Sequence, residues 1–220
     1  MNINDPQVVS LYKIYQEVIN PLIIEIETMK TEFPVSALNE IRSFTCHISR
    51  ALNENSGVDP QKEIEKAEGH LERVLLDCYK TLIILLDDKC VGKFSKDTKN
   101  IDLTFVNNGD FIPRYNNCNK VAQDALMKAK RLDADSGKKL EALNLYQEAL
   151  IRYREFESFL DDASNGINWA RKAKIKKKIK NIIWGVLAWL GSAILSGIVS
   201  SMWLDFNAVK EWFGSIFSFS

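Results

Sequence analysis

The sequence predicts an all-α protein, a helical bundle followed by a single C-terminal membrane-spanning helix. Three observations carry this reading. Apolar residues recur at steps of three and four along most of residues 5–170. No stretch shows a defensible two-residue alternation of the kind a half-buried strand requires. Residues 181–204, NIIWGVLAWLGSAILSGIVSSMWL, contain no charged side chain. At ~1.5 Å rise per residue these 24 residues make a helix of roughly 36 Å, enough to cross a ~30 Å hydrocarbon core with some tilt.

The first helix is expected from about Asp5 to Lys30, on a stripe of Val8, Leu11, Ile14, Tyr15, Val18, Ile19 and Leu22. Pro21 lies inside this run and is expected to kink it. Pro34 opens a second helix with Leu38, Ile41, Phe44, Thr45, Ile48 and Leu52 on one face. Gly57, Asp59 and Pro60 break the chain and start a third, from about Gln61 to Asp88. Its apolar positions are Ile64, Ala67, Leu71, Val74, Cys78, Leu82 and Leu85. Residues 90–114 lose the periodicity and hold Asn107, Asn108, Gly109 and Pro113, so a long connection is expected there. Two more helices follow, at about 115–133 and 137–170, joined by a turn at Asp135–Gly137. The last carries Leu140, Leu143, Tyr146, Ala149, Leu150, Tyr153, Phe156 and Leu160, and can run on through Trp169 into the span. Its EALNLYQEAL segment is similar to part of a tetratricopeptide hairpin. The full repeat pattern and a second copy are missing, so a plain antiparallel helix pair is the better reading.

Lys+Arg and Asp+Glu both number 29. The balance hides an asymmetry, because seven cations crowd the flank of the span: Arg171, Lys172, Lys174, Lys176, Lys177, Lys178 and Lys180. A Lys/Arg cluster beside a span stays on the cytoplasmic side. An anionic leaflet attracts it by ~1 kcal/mol per cation. The domains expected are therefore a cytoplasmic helical domain (1–170), a basic juxtamembrane segment (171–180), a transmembrane helix (181–204) and an external amphipathic tail (205–220). The start MNINDPQVV is polar and acidic, so no signal peptide is expected there. The four cysteines form no C-x-x-C pair, and with only His47 and His70 no zinc pattern is visible. Reduced thiols, and no cofactor or metal, are the expectation.

Arg42-Ser-Phe-Thr-Cys-His47 is an Arg-x4-His sequence on the second helix. It resembles the motif of HEPN-type endoribonucleases, whose Arg and His meet their symmetry mates across a dimer. That resemblance implies a His acting as acid or base on a ribose 2′-OH and an Arg stabilising the scissile phosphate. The alternative from the residues alone is structural. His47 packs in a helix interface, and Arg42 pairs with Glu40 or with an acid on the third helix. His70, with Arg73 and Asp77 near it, is a candidate polar neighbour.

The order of segments extends the resemblance. LNEIRSFTCHISRAL is followed by IEKAEGHLERVLLDCYKTL, a connection with VNNGDFIP, a long acidic-aromatic helix, a lysine run and one span. Over most of residues 10–205 this resembles the small membrane accessory protein of type VI-B CRISPR systems. The resemblance implies a HEPN-like helical body, with Arg42 and His47 as its HEPN-like pair, catalytic or structural. It also implies a single-pass protein of the bacterial inner membrane and assembly of copies into a ring-shaped pore. The partners implied are further copies of the chain, membrane lipids, and an RNA-guided RNA-cutting nuclease or its RNA. In this family the Arg/His pair need not mean ribonuclease activity.

The span adds its own signal for assembly. Ala188, Ser192, Ser196 and Ser200 step by four, as do Ala193, Gly197 and Ser201 beside them. Small residues at this spacing let helix backbones approach closely. No charge lies inside the span, which argues against a relay built on titrating side chains. The function expected is a membrane-anchored antiphage defence protein that forms a pore and depolarises the membrane. The alternatives are a membrane-tethered HEPN endoribonuclease and a plain tail-anchored scaffold.

Overall fold

The order of caps and breakers along the chain sets its helices. Asp5 and Asp59 each precede Pro and Gln, and each side chain accepts a hydrogen bond from the backbone N–H of that glutamine, Gln7 and Gln61, at 3.0 Å. The proline after each cap sits where a helix has no N–H partner to lose. These caps open α1 (Pro6–Ile14) and α4 (Pro60–Asp87). Between them run α2 (Asn20–Lys30) and α3 (Val35–Leu52). After them come α5 (Phe94–Thr98), α6 (Phe111–Asp133) and α7 (Lys139–Phe217). The computed structural model describes residues 2–32, 34–55, 57–135 and 139–217, without the side chains of residues 139, 197–209 and 212–217. Among these residues all regular elements are helical and there is no strand.

The expected kink at Pro21 takes a specific form. Tyr15–Ile19 is a π-helical turn, and the N–H of Asn20 reaches back to the Tyr15 carbonyl. Proline clashes with the carbonyl four residues back, and widening one turn relieves the clash while the chain stays helical. Ile14 and Val18 of the expected stripe are exposed, while Val8, Leu11, Ile19 and Leu22 are buried. Leu38 on α3 is also exposed.

Residues 90–114 differ most from the sequence expectation. A second π-helical turn, Asp88–Lys93, carries α4 on into α5, and Leu103–Gly109 holds 3₁₀ turns broken by a kink at Val106, Asn107 and Asn108. The stretch is held from inside by the buried residues Cys90, Thr98, Val106 and Phe111. Each piece is too short to show a helical period, which is why the sequence reads as a loop. The punctuation was legible: Asn107, Asn108 and Gly109 all have positive φ, at 51°, 56° and 92°. Asn and Gly tolerate the left-handed region best. The expected turn residues Ser136 and Gly137 lie outside the described residues.

Residues Met1–Ile167 form one compact unit and Asn168–Ser220 a second. In the first, α4 is central and packs against α1, α2 and most extensively α3. One apolar core joins these helices to α6 and to the start of α7 through Tyr146, Leu150 and Tyr153. Tyr153 donates to Asp87 at 2.9 Å, and Gln123 donates to the same oxygen at 2.8 Å. A second aromatic group, Phe94, Phe111, Tyr115, Phe156 and Phe159, holds the 90–114 region against α7.

In the second unit, the described part of the Leu140–Ser196 helix includes an 18-residue window of mean hydropathy 1.4, none of it buried. By length and composition this helix can cross a membrane. The side chains of Gly197, Ser200 and Ser201 from the predicted stripe lie outside the described residues, as do the tail's aromatic side chains.

Candidate functional site

Both histidines of the chain sit in one cluster between α3 and α4. Residues seven apart on a helix lie on nearly the same face, two turns from each other. Glu40 and His47 have this spacing on α3, and Glu63 and His70 have it on α4. The two helices exchange partners. His47 Nδ1 lies 2.7 Å from Glu63 Oε2, and His70 Nδ1 lies 2.7 Å from Glu40 Oε2. The imidazoles stack between the two pairs, centroids 5.0 Å apart and planes 21° apart.

The charges around the cluster follow from chemistry. An ionised carboxylate only accepts hydrogen bonds, so Nδ1 of His47 carries the proton and donates it to Glu63. This fixes the tautomer and leaves Nε2 with no protein partner among the described residues. Glu63 is almost wholly buried, yet it also receives Lys66 Nζ at 2.6 Å, and Arg50 lies 3.9 Å away. The Lys66 hydrogen bond, then that of His47, outweigh burial and pull the Glu63 carboxyl down to about 2. For Glu40, partial burial pushes the carboxyl up. The hydrogen bonds and charges of Arg73 and His70 outweigh it and leave the group below its ordinary range. Arg73 donates through Nε to Glu40 at 2.7 Å while its Nη2 lies 2.7 Å from His70 Nδ1. A guanidinium only donates, so His70 Nδ1 cannot satisfy both Glu40 and Arg73 at once. Proton placement on His70 is thus tied to the position of Arg73.

This linkage gives a pH dependence. A carboxyl whose folded value lies below its unfolded value stabilises the fold above the unfolded value and loses that contribution as pH falls. For Glu63 the contribution is complete above about 4.5 and disappears as pH falls toward about 2. In thermal melts of the full-length protein, wild type is expected to lose stability more steeply than Glu63→Gln across that window. Parallel curves would remove Glu63 as a titrating brace.

Arg42 and His47 line the same shallow groove on the exposed side of α3, together with Asn39, Ser43, Cys46 and Arg50. Arg42 is exposed and makes no ion pair or hydrogen bond among the described residues. The pairing with Glu40 or with an acid of α4 is therefore not made, because Arg73 and His70 occupy Glu40. His70 stands beside His47 and Arg73 beside His70, while Asp77 makes no hydrogen bond or ion pair to the cluster among the described residues. Glu40 was expected only as a partner of Arg42 and Glu63 was not singled out, although a Glu-x6-His on each of two consecutive helices was there to be read. Chemically, an imidazole braced at Nδ1 by a carboxylate with Nε2 left over is arranged for proton transfer or for hydrogen bonding to a partner. No group of three or more His, Cys, Asp and Glu suited to a metal is present among the described residues.

The second candidate region is the α7 segment from Asn168 onward. Its seven cations are exposed, and so are Ile182, Ile183, Trp184, Val186, Leu187, Trp189, Leu190, Ile194 and Leu195, at 44–68 %. Ala188, Ser192, Ala193 and Ser196 of the stripe are exposed as well, and Ser192 Oγ donates to the Trp189 carbonyl at 2.7 Å. No protein-family model matches this sequence, and searches of curated proteins and of solved structures find no match to it.

Proposed function

We propose that the chain is a membrane-anchored defence protein whose copies assemble through the C-terminal helix into a pore that depolarises the membrane. In this reading it enhances an RNA-guided RNA-targeting nuclease. The observation that carries the membrane half is the bare apolar length of α7. Nine large apolar side chains lie uncovered there. Covering their exposed half is worth on the order of 10 kcal/mol, comparable to the whole stability of a domain. A bilayer supplies that cover, and the cations at its foot match a membrane surface. The segment order shared with type VI-B accessory proteins supports the defence half, and the small-residue stripe supports self-association. The body is cytoplasmic in this reading, the membrane the bacterial inner one, and residues 205–220 external.

Orientation is tested by thiol labelling with an impermeant reagent in intact cells. The native reporter is Cys46, which is exposed. Cys90 is unsuitable, because burial hides it and pushes its thiol up to about 12. A cysteine introduced at Ser220 is expected to label, and Cys46 only after permeabilisation. Labelling of Cys46 in intact cells would reverse the topology.

One observation favours a second reading, a membrane-tethered ribonuclease. His47 is braced by Glu63, and Arg42, which has no ion pair or hydrogen bond among the described residues, lies in the same groove. Under the pore reading, the purified protein does not cleave single-stranded RNA, and cells carrying it with its triggering partner depolarise. Metal-independent cleavage lost by at least 100-fold in His47→Ala would establish the ribonuclease instead, since removal of a general acid–base group typically costs 10²–10⁴-fold.

A further inference from the structure

The basic segment and the span share one uninterrupted seam. Ile175, Ile179, Ile182, Val186, Trp189, Ala193 and Ser196 are spaced alternately by four and three residues. This is the spacing of a left-handed helix–helix contact, in which one narrow stripe faces the partner along its whole length. All seven are exposed. At 3.6 residues per turn, the seven cations of residues 171–180 fall on every side of the helix except one arc about 100° wide. Ile175, Ile179 and Ile182 fill that arc. Arg171 and Lys178 border it on one side and Lys172 on the other.

This geometry poses an electrostatic problem for self-association. Helices packed along such a seam stand roughly 8–10 Å apart. That brings the bordering cations of neighbouring copies within about one Debye length, ~10 Å at 0.1 M salt, so dissolved salt does not remove their repulsion. No Asp or Glu occurs between Asp162 and Asp205, so this stretch of the helix carries no acid to offset the cations that border the seam. Parallel copies place cation beside cation at the same depth. An anionic surface at that depth supplies the counter-charge that Arg171, Lys172 and Lys178 lack on this stretch of the helix.

We propose that residues 171–180 bind the phosphate-bearing headgroups of anionic phospholipids, and that these lipids are required for copies to associate along the Ile175–Ser196 seam. The proposal rests on the self-association reading above. The lipid is the fitting source of charge because of depth. Lys180 directly precedes the uncharged stretch, and Lys176, Lys177 and Lys178 lie within one turn or so of it. A turn rises about 5.4 Å, so these ammonium groups stand at the headgroup layer when the span fills the hydrocarbon core. Each cation at such a surface strengthens association with anionic lipid by about fivefold.

The test uses the full-length protein in lipid nanodiscs large enough for several copies. One set contains phosphatidylcholine alone and the other about one-third phosphatidylglycerol. Oligomer size is read by cross-linking and mass photometry. Wild type is expected to be oligomeric only with phosphatidylglycerol. The variant Arg171→Gln/Lys172→Gln/Lys178→Gln keeps four cations for orientation and loses those bordering the seam. It is expected to associate in both lipids alike. Glycerol phosphate added to phosphatidylcholine discs is expected to leave wild type unassociated. Equal association of wild type in both lipids would overturn the lipid requirement and leave the self-association reading standing. Restoration by RNA in phosphatidylcholine discs would overturn the choice of lipid as the anion. Wild type and glutamine variant both monomeric in every disc would remove self-association itself, and a variant monomeric in every disc beside an oligomeric wild type would overturn repulsion as the barrier that lipid relieves.

Discussion

Replacing Ser192, Ser196 and Gly197 by leucine is expected to leave the protein in the membrane and to abolish both its large oligomer and its depolarising activity. The substitutions raise hydrophobicity, so insertion survives. What they remove is close approach. Helices in a bilayer gain little from apolar burial, because lipid is as apolar as leucine, and they associate through backbone proximity and packing. Three bulky side chains within an arc of about 140° hold the helices apart over about one and a half turns. The measurement pairs a potential-sensitive dye, in cells carrying the protein and its triggering partner, with size analysis of the extracted protein. Full depolarisation by the leucine variant would remove the helix as the conducting element. A wild-type protein that stays monomeric in mild detergent and in bilayers would end the pore reading, since one span cannot enclose a channel.

Phe156→Ala is expected to cost about 3–5 kcal/mol of stability, the range for truncating a fully buried aromatic ring. Phe156 is completely buried and meets the Tyr115 ring edge-on at 5.2 Å. Tyr115 in turn donates to the Cys90 carbonyl at 3.2 Å. The cavity therefore opens under the segment that carries Cys90. Thiol labelling of Cys90 should accelerate along with the fall in the denaturation midpoint. Ile151→Ala, at a half-exposed position on the same helix, is the control and should stay within about 0.5 kcal/mol of wild type. Equal effects of the two changes would mean that the aromatic group does not hold the 90–114 region in place.

The sequence by itself determined the helical class, most helix starts and the apolar helix at the C-terminal end. These follow from local chemistry. An Asp followed by Pro caps and starts a helix, Asn-Asn-Gly turns the chain, and a long uncharged run needs apolar cover. The 90–114 region was illegible because burial there comes from single residues on three short pieces, and only their shared contact with α7 makes them a core. The Arg-x4-His spacing was visible, but its partners were not. Only packing showed that Glu40 is taken by His70 and Arg73, that Glu63 braces His47, and that Arg42 is left unpaired. A Glu-x6-His on one helix is a face of that helix and nothing more. It became a site when α3 and α4 were set side by side with their directions opposed, so that each carboxylate met the imidazole of the other helix. That register is fixed by the apolar contacts of Phe44, Ile48, Leu71 and Val74 in the shared core, a long-range agreement between helices that no local reading of either one contains.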